Sequence, residues 1–197
     1  DDGKILIAGY KYISGNINNI ALSRYIGYEY SGPVWHISTN GSDETGDGSE
    51  ASPFATIQFG IDASQNSDTV LVQPGTYTEN INFNGKNIVV GSLLLITDDT
   101  TYIQQTVIDA GESANAVEFS NGENNTAVLL GFTILNGATR GIFCENSSPS
   151  IRNCIVSQTL SHARRGIWCW TSSPRIDKVV VTGNNEIGIW IGYESHP

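Results

Sequence analysis

The chain has 197 residues, of which 39% are hydrophobic, and a formal net charge of −10. That length suits one domain, or one domain with a fragment attached, and no apolar run approaches the ~18 residues of a membrane-spanning helix. Overall acidity argues against a nucleic-acid binder, although the charge is uneven: from Glu29 to Glu123 there are 14 acidic residues against Lys86 alone, whereas from Arg140 to Lys178 six basic residues face only Glu145 and Asp177.

Residues 1–30 read as two strands, Lys4–Gly9 and Ile20–Tyr25, joined by the polar run Ser14–Asn19. The phrase Asp2-Gly3-Lys4-Ile5-Leu6-Ile7-Ala8-Gly9, followed by Ala21-Leu22-Ser23-Arg24-Tyr25, resembles one repeat of a propeller-like family in which DGKILVAG precedes ALARY. One such repeat cannot bury a core alone. The sequence contains no Met and no signal peptide, so it reads as a processed or excised piece, and the missing signal says nothing about secretion.

Residues 31–52 read as an acidic, Gly- and Ser-rich loop. Within it Asp43 and Asp47 are candidate calcium ligands through carboxylates and carbonyls, but the spacing is not that of an EF-hand, and such loops are usually just solvated. No other cofactor is implied. From Pro53 to Ser64 the pattern predicts a helix, with Pro suited to the first turn and Phe54, Ile57 and Ile61 at helical spacing. Strands are expected at Thr69–Val72, Asn80–Phe83 and Asn87–Val90, with turns at Asn84-Gly85 and Gly91.

The pattern NGSD…GDGS…PFATIQ…ID…DTVLVQPGTYTENI resembles the start of right-handed parallel β-helices of the pectate-lyase-like superfamily. The resemblance covers residues 35–192. It implies an all-β solenoid in which the helix 53–64 caps the open end of the first coil, and it leaves the activity open.

The later half repeats itself. Gly141-Ile142-Phe143-Cys144 returns 25 residues on as Gly166-Ile167-Trp168-Cys169, and 22 further on as Gly188-Ile189-Trp190-Ile191. Ser147-Ser148-Pro149-Ser150-Ile151 returns as Ser172-Ser173-Pro174-Arg175-Ile176. Strands and turns repeating at 22–25 residues mean a solenoid, which the resemblance makes a right-handed parallel β-helix over residues 53–197. The last residues, His196-Pro197, directly follow a full coil with no terminal cap, so a longer native protein, or a molecule stacked on that end, is expected.

Strand alternation turns Ile142, Cys144, Ile167, Cys169, Ile189 and Ile191 inward. Phe132/Ile134, Cys154/Val156 and Val179/Val181 should form a second inward row. The Cys are small core residues on this reading, since an odd number excludes a complete disulfide framework and no Cys-x-x-Cys or His cluster suggests a metal.

The same alternation points Phe143, Trp168 and Trp190 outward on one line, with Glu118 their counterpart one coil earlier, Trp170 at the rim, and Arg140 and Arg165 at the flank. Outward rings beside Arg suit sugar stacking, with the guanidinium available to carboxylate or sulfate. Protein–protein packing and incidental stacking explain the same line. Arg152/Asp177 and Ser150/Arg175 are outward pairs in register. The bland reading of Arg152 and Asp177 is an inter-coil salt bridge. The sharper one makes Arg152, Arg175 and Asp177 a lyase-like site, in which a basic group removes the proton beside a uronate carboxylate. No outward ladder of paired carboxylates supports glycoside hydrolysis. Asn40, Asn124 and Asn146 lie in N-x-[ST] sequons.

These residues lead to a secreted or cell-surface β-helix that interacts with a polysaccharide or glycan along the aromatic line. Two alternatives stay open. One is a lyase acting on an acidic glycan. The other is a structural subunit that self-associates through its open end and aromatic stripe.

Overall fold

The computed structural model describes residues 32–157, 165–184 and 187–192, so the strand pair and propeller-like phrase of residues 1–30 lie outside the described residues. In chain order the elements are β1 (Val34–Ile37), α1 (Ile57–Ala63), β2 (Thr69–Val72), β3 (Gly75–Thr78), β4 (Ile81–Asn82), β5 (Val89–Ser92), α2 (Leu94–Thr97), α3 (Tyr102–Gln105), β6 (Thr106–Asp109), β7 (Val117–Phe119), β8 (Val128–Leu130) and β9 (Thr133–Leu135). They continue with β10 (Arg140–Glu145), β11 (Ser150–Arg152), β12 (Ile155–Ser157), β13 (Arg165–Trp170), β14 (Arg175–Asp177), β15 (Val180–Thr182) and β16 (Ile187–Ile191).

Strands separated by one coil pair in parallel and build three sheets. Their orders are β1-β2-β5-β8-β11-β14, β3-β6-β9-β12-β15 and β4-β7-β10-β13-β16. This is a parallel β-helix. Coil repeats lie in strict register, with Ile142 opposite Ile167 and Cys144 opposite Cys169. Each inward row is therefore a column of like residues. Val70, Val90, Leu129, Ile151 and Ile176 make one column; Tyr77, Ile108, Ile134, Val156 and Val181 make another. The earlier coils fill the third column with Phe83 and Phe119, whose ring centroids are 4.2 Å apart. Each fully buried Ile, Val or Phe stabilises the fold by about 1.5–3 kcal/mol.

At the amino-terminal end α1 packs Ile57 and Ile61 into the core as a cap, though it is shorter than the helix read from sequence. α1 begins at Ile57 rather than Pro53, because Phe54 pairs with the outer edge of β1 instead. The Phe54 N–H donates to His36 O, and the Ser38 N–H donates to Phe54 O. Thr56 then caps α1, its Oγ1 accepting from the Phe59 N–H. The Gln58 side-chain amide covers the free edge of β4: Oε1 accepts from Asn82 N–H at 2.8 Å, and Nε2 donates to Asn82 O at 3.2 Å. β1 itself falls inside the 31–52 segment expected to be loop. Gly91, expected in a turn, is a β5 residue, and a Cβ there would sit 3.1 Å from Leu95.

That contact belongs to a second apolar cluster outside the first sheet. Val89, Val128 and Leu130 face outward and are covered by Leu94, Leu95, Tyr102 and Ile103 from α2 and α3. The Thr133 hydroxyl fastens this insertion by donating to Ile103 O at 2.8 Å.

Corners reuse one conformation. Asn146 and Thr171 occupy the same corner of successive coils with φ of 49° and 47°, and Asn153 and Lys178 share another at 48° and 52°. Asn tolerates left-handed backbone, whereas a β-branched Thr is strained there. Thr171→Asn should therefore raise unfolding stability by about 1 kcal/mol, measured by urea denaturation against the parent chain.

Candidate functional site

The outer face of the third sheet changes character along the solenoid. Asn82, Glu118, Phe143, Trp168 and Trp190 are consecutive register partners on it. It runs from polar in the early coils to aromatic in the later ones, as the sequence line predicted for the last four. Arg140 is opposite Arg165, and both turn outward because the following glycine takes the inward place at the corner. A Cβ on Gly141 would lie 2.3 Å from Val156 Cγ1 and 2.7 Å from Gly166 O; one on Gly166 would meet Val181 Cγ1 at 2.3 Å.

The arginines lie on the rings rather than beside them. The Arg140 guanidinium carbon sits 4.4 Å from the Phe143 ring centroid and 3.9 Å from that of Trp168. Arg165 sits 4.1 Å from Trp168 and 5.8 Å from Trp190. Trp168 meets Trp190 edge-on at 4.6 Å, and Trp190 stacks on Trp170 at 5.7 Å with the planes only 2° apart. The expected row of free ring faces is thus an interleaved stack, in which guanidinium groups occupy the Trp168 faces that a sugar would need. Trp170, expected at the rim, is the open plate, 40% exposed.

Two positive groups one coil apart repel, and the rings between them offset part of that cost, each such contact contributing about 0.5–2 kcal/mol. Burial first, then Arg165, lowers the Arg140 pKa from its ordinary value, while Glu118 and Glu145 oppose the shift. A polar relay steadies the early side. Asn115 Oδ1 accepts from the Thr139 hydroxyl at 2.8 Å and from Arg140 Nη1 at 3.4 Å, and its Nδ2 donates to Glu118 Oε2 at 3.2 Å. The Ser120 hydroxyl donates to the other Glu118 oxygen at 2.7 Å. Sequence reading missed Asn115, which lies just before β7; the repeated Arg-Gly-Ile-aromatic order was the available signal for the outward arginines.

The remaining candidates are dispersed. Arg152 is opposite Asp177 and Ser150 opposite Arg175, as expected. Yet Arg152 is only 6% exposed and Ser150 fully buried, opposite the buried Leu130 and Val128 of β8. Arg152 is therefore no solvent-facing base, and Arg175 is the exposed basic side chain of the trio. Asp43 anchors the start of α1: its Oδ1 accepts from the Ala55 and Thr56 N–H groups at 2.7 and 3.1 Å, and its Oδ2 from the Thr56 hydroxyl. Asp47 accepts from the Ser49 N–H at 2.9 Å. Among the described residues no group of three or more His, Cys, Asp or Glu is arranged to hold a metal. The three cysteines are buried and free, and burial pushes the Cys154 thiol up to about 11.

Two substitutions test this geometry. Trp168→Ala would bring two guanidinium groups face to face above a void, and should cost about 3 kcal/mol in urea unfolding, with Trp168→Phe costing clearly less. Gly141→Ala should cost about 1–3 kcal/mol from overpacking. Gly188→Ala should be nearly neutral, because its Cβ would meet only Val181 Cγ1 at 3.6 Å.

No curated protein matches the chain. Among solved structures it is similar to a rhamnogalacturonan lyase, at 11% identity and a TM-score of 0.26, over 74% of this chain. The chain spans 36% of that lyase's length, and a likeness of that size carries no inference about activity. The family model described as "Protein of unknown function (DUF1565)" matches residues 39–194, and the chain belongs to that family.

Proposed function

We propose that this β-helix is a secreted or cell-surface protein that binds carbohydrate on the outer face of β10, β13 and β16, and that its ligand is an acidic glycan. The observation that carries the reading is the interleaved stack itself. Guanidinium groups held over rings keep N–H groups from which a carboxylate or sulfate can accept. Beside them Trp170 offers an exposed ring backed by Trp190, suited to stacking a sugar. The strand spacing of about 4.8 Å between Arg140 and Arg165 is comparable to the length of one sugar unit, so successive acidic residues of a chain can meet successive coils.

A lyase acting on the same class of glycan is the alternative. It finds less support, because Arg152 is covered and Arg175 lies on the first sheet, away from the aromatic face.

Isothermal titration against a panel of acidic and neutral polysaccharides, with and without calcium, tests the proposal. Affinity for one or more acidic chains is expected, weakened at least tenfold in Trp170→Ala and in Arg140→Ala, with the melting curve of each variant confirming its fold. Equal affinity for neutral chains, or binding untouched by both substitutions, would overturn it. New chain ends released during the titration would favour the lyase.

A further inference from the structure

Three nucleophilic side chains lie inside the solenoid and take no part in the binding face: Cys144, Cys154 and Cys169. Two of them share a column. Cys144 of β10 is opposite Cys169 of β13 in parallel register, and both are wholly buried, so both turn inward from neighbouring strands. Phe119 holds the same place on the preceding coil, so the pair forms a narrow stretch in a column that starts broad. The two thiols are hydrogen-bonded to each other. Cys154 is engaged elsewhere, its thiol donating to Arg152 O at 3.1 Å and reaching Leu129 O at 4.0 Å.

Register partners on parallel strands have Cα atoms about 4.8 Å apart, inside the range of roughly 4.4–6.8 Å that disulfides span. Side chains leaving such strands in parallel stay about as far apart at Cβ, slightly beyond the roughly 3.5–4.5 Å usual for a disulfide. A bridge here is therefore strained, and strain makes it readily reduced.

We propose that Cys144 and Cys169 are a modification site, a thiol pair that a small-molecule disulfide converts into a reversible cross-link between β10 and β13. One cysteine, as thiolate, attacks a sulfur of the small disulfide. The small molecule's S–S bond breaks, one half leaves as a thiolate, and a mixed disulfide forms. The second cysteine, as thiolate, attacks the protein sulfur of that mixed disulfide and expels the other half. The two protein thiols lose two electrons and two protons in all, and the small disulfide becomes two thiols. Both cysteines are enclosed in the folded chain, so exchange takes place while β13 is open from β10, during folding or in local unfolding. Phe143 and Trp168 directly precede the two cysteines, so the cross-link fixes the register of the coils that carry the arginine–ring stack. It does so whether or not that stack binds a glycan.

The whole 197-residue chain, refolded from urea in mostly oxidised glutathione, alkylated in fresh denaturant, weighed and digested, tests the proposal. Circular dichroism before alkylation confirms the β fold. Alkylation of Cys154 alone is expected, with Cys144 and Cys169 joined in one pair of peptides. Dithiothreitol should return three alkylated cysteines. Cys154→Ala should oxidise as the parent does and leave no cysteine to alkylate, whereas Cys144→Ala should form no internal bridge. Three alkylated cysteines in the refolded parent, glutathione adducts that persist on Cys144 and Cys169, or a bridge that includes Cys154 would each overturn the proposal.

Discussion

The parallel hydrogen-bond ladder between coils is the constraint on which everything else in this protein rests. Because each strand pairs with the strand one coil away, whatever a side chain does at one position is repeated about 4.8 Å further along. For Ile and Val in the interior the repetition is favourable, since like side chains interdigitate into continuous columns. At corners it repeats a left-handed residue, which suits Asn146 and Asn153 and strains Thr171 and Lys178. For arginine it creates a difficulty, because Arg140 and Arg165 are forced into register as like charges.

The outer face resolves that difficulty with rings. Each Arg spans the gap between the aromatic residue of its own coil and that of the next, so the positive groups never meet directly. The result is a rigid cationic strip on an otherwise acidic molecule. Its arginines are already held against the rings, which would reduce the side-chain entropy cost of the proposed glycan binding. The polar relay through Asn115 and Glu118 marks where the strip begins, and the Trp170–Trp190 pair marks where it opens to solvent.

Much of this was legible in the sequence because register preserves spacing. The 25-residue return of Gly-Ile-aromatic-Cys and of Ser-Ser-Pro-x-Ile fixed which residues share a column, and the columns are as expected. What the repeats could not convey was cover. The run Ser92-Leu93-Leu94-Leu95-Ile96 is a short apolar stretch that pattern alone cannot assign to strand or helix, and part of it forms a short helix lying on the first sheet. Arg152 is buried although its place in the repeat reads as outward. The arginines were read at the flank of the line from their place before the glycine, although simple alternation from Phe143 assigns Arg140 inward and the tight corner at Gly141 reverses it. At the start of the helix, Phe54 fits the helical period yet is taken by the edge of β1.

The Gln58 amide, seated on β4 as a substitute for one peptide group, makes the two directions along the solenoid unequal for the addition of a coil. A side chain that ends a sheet must meet a particular backbone pair, so a coil inserted before it would need a new cap of matching shape. A coil duplicated further along needs only to repeat its own register. The two most alike coils are indeed those of β10–β11 and β13–β14, related by the 25-residue return. A further block in the same register would extend the interior columns and the cationic strip together.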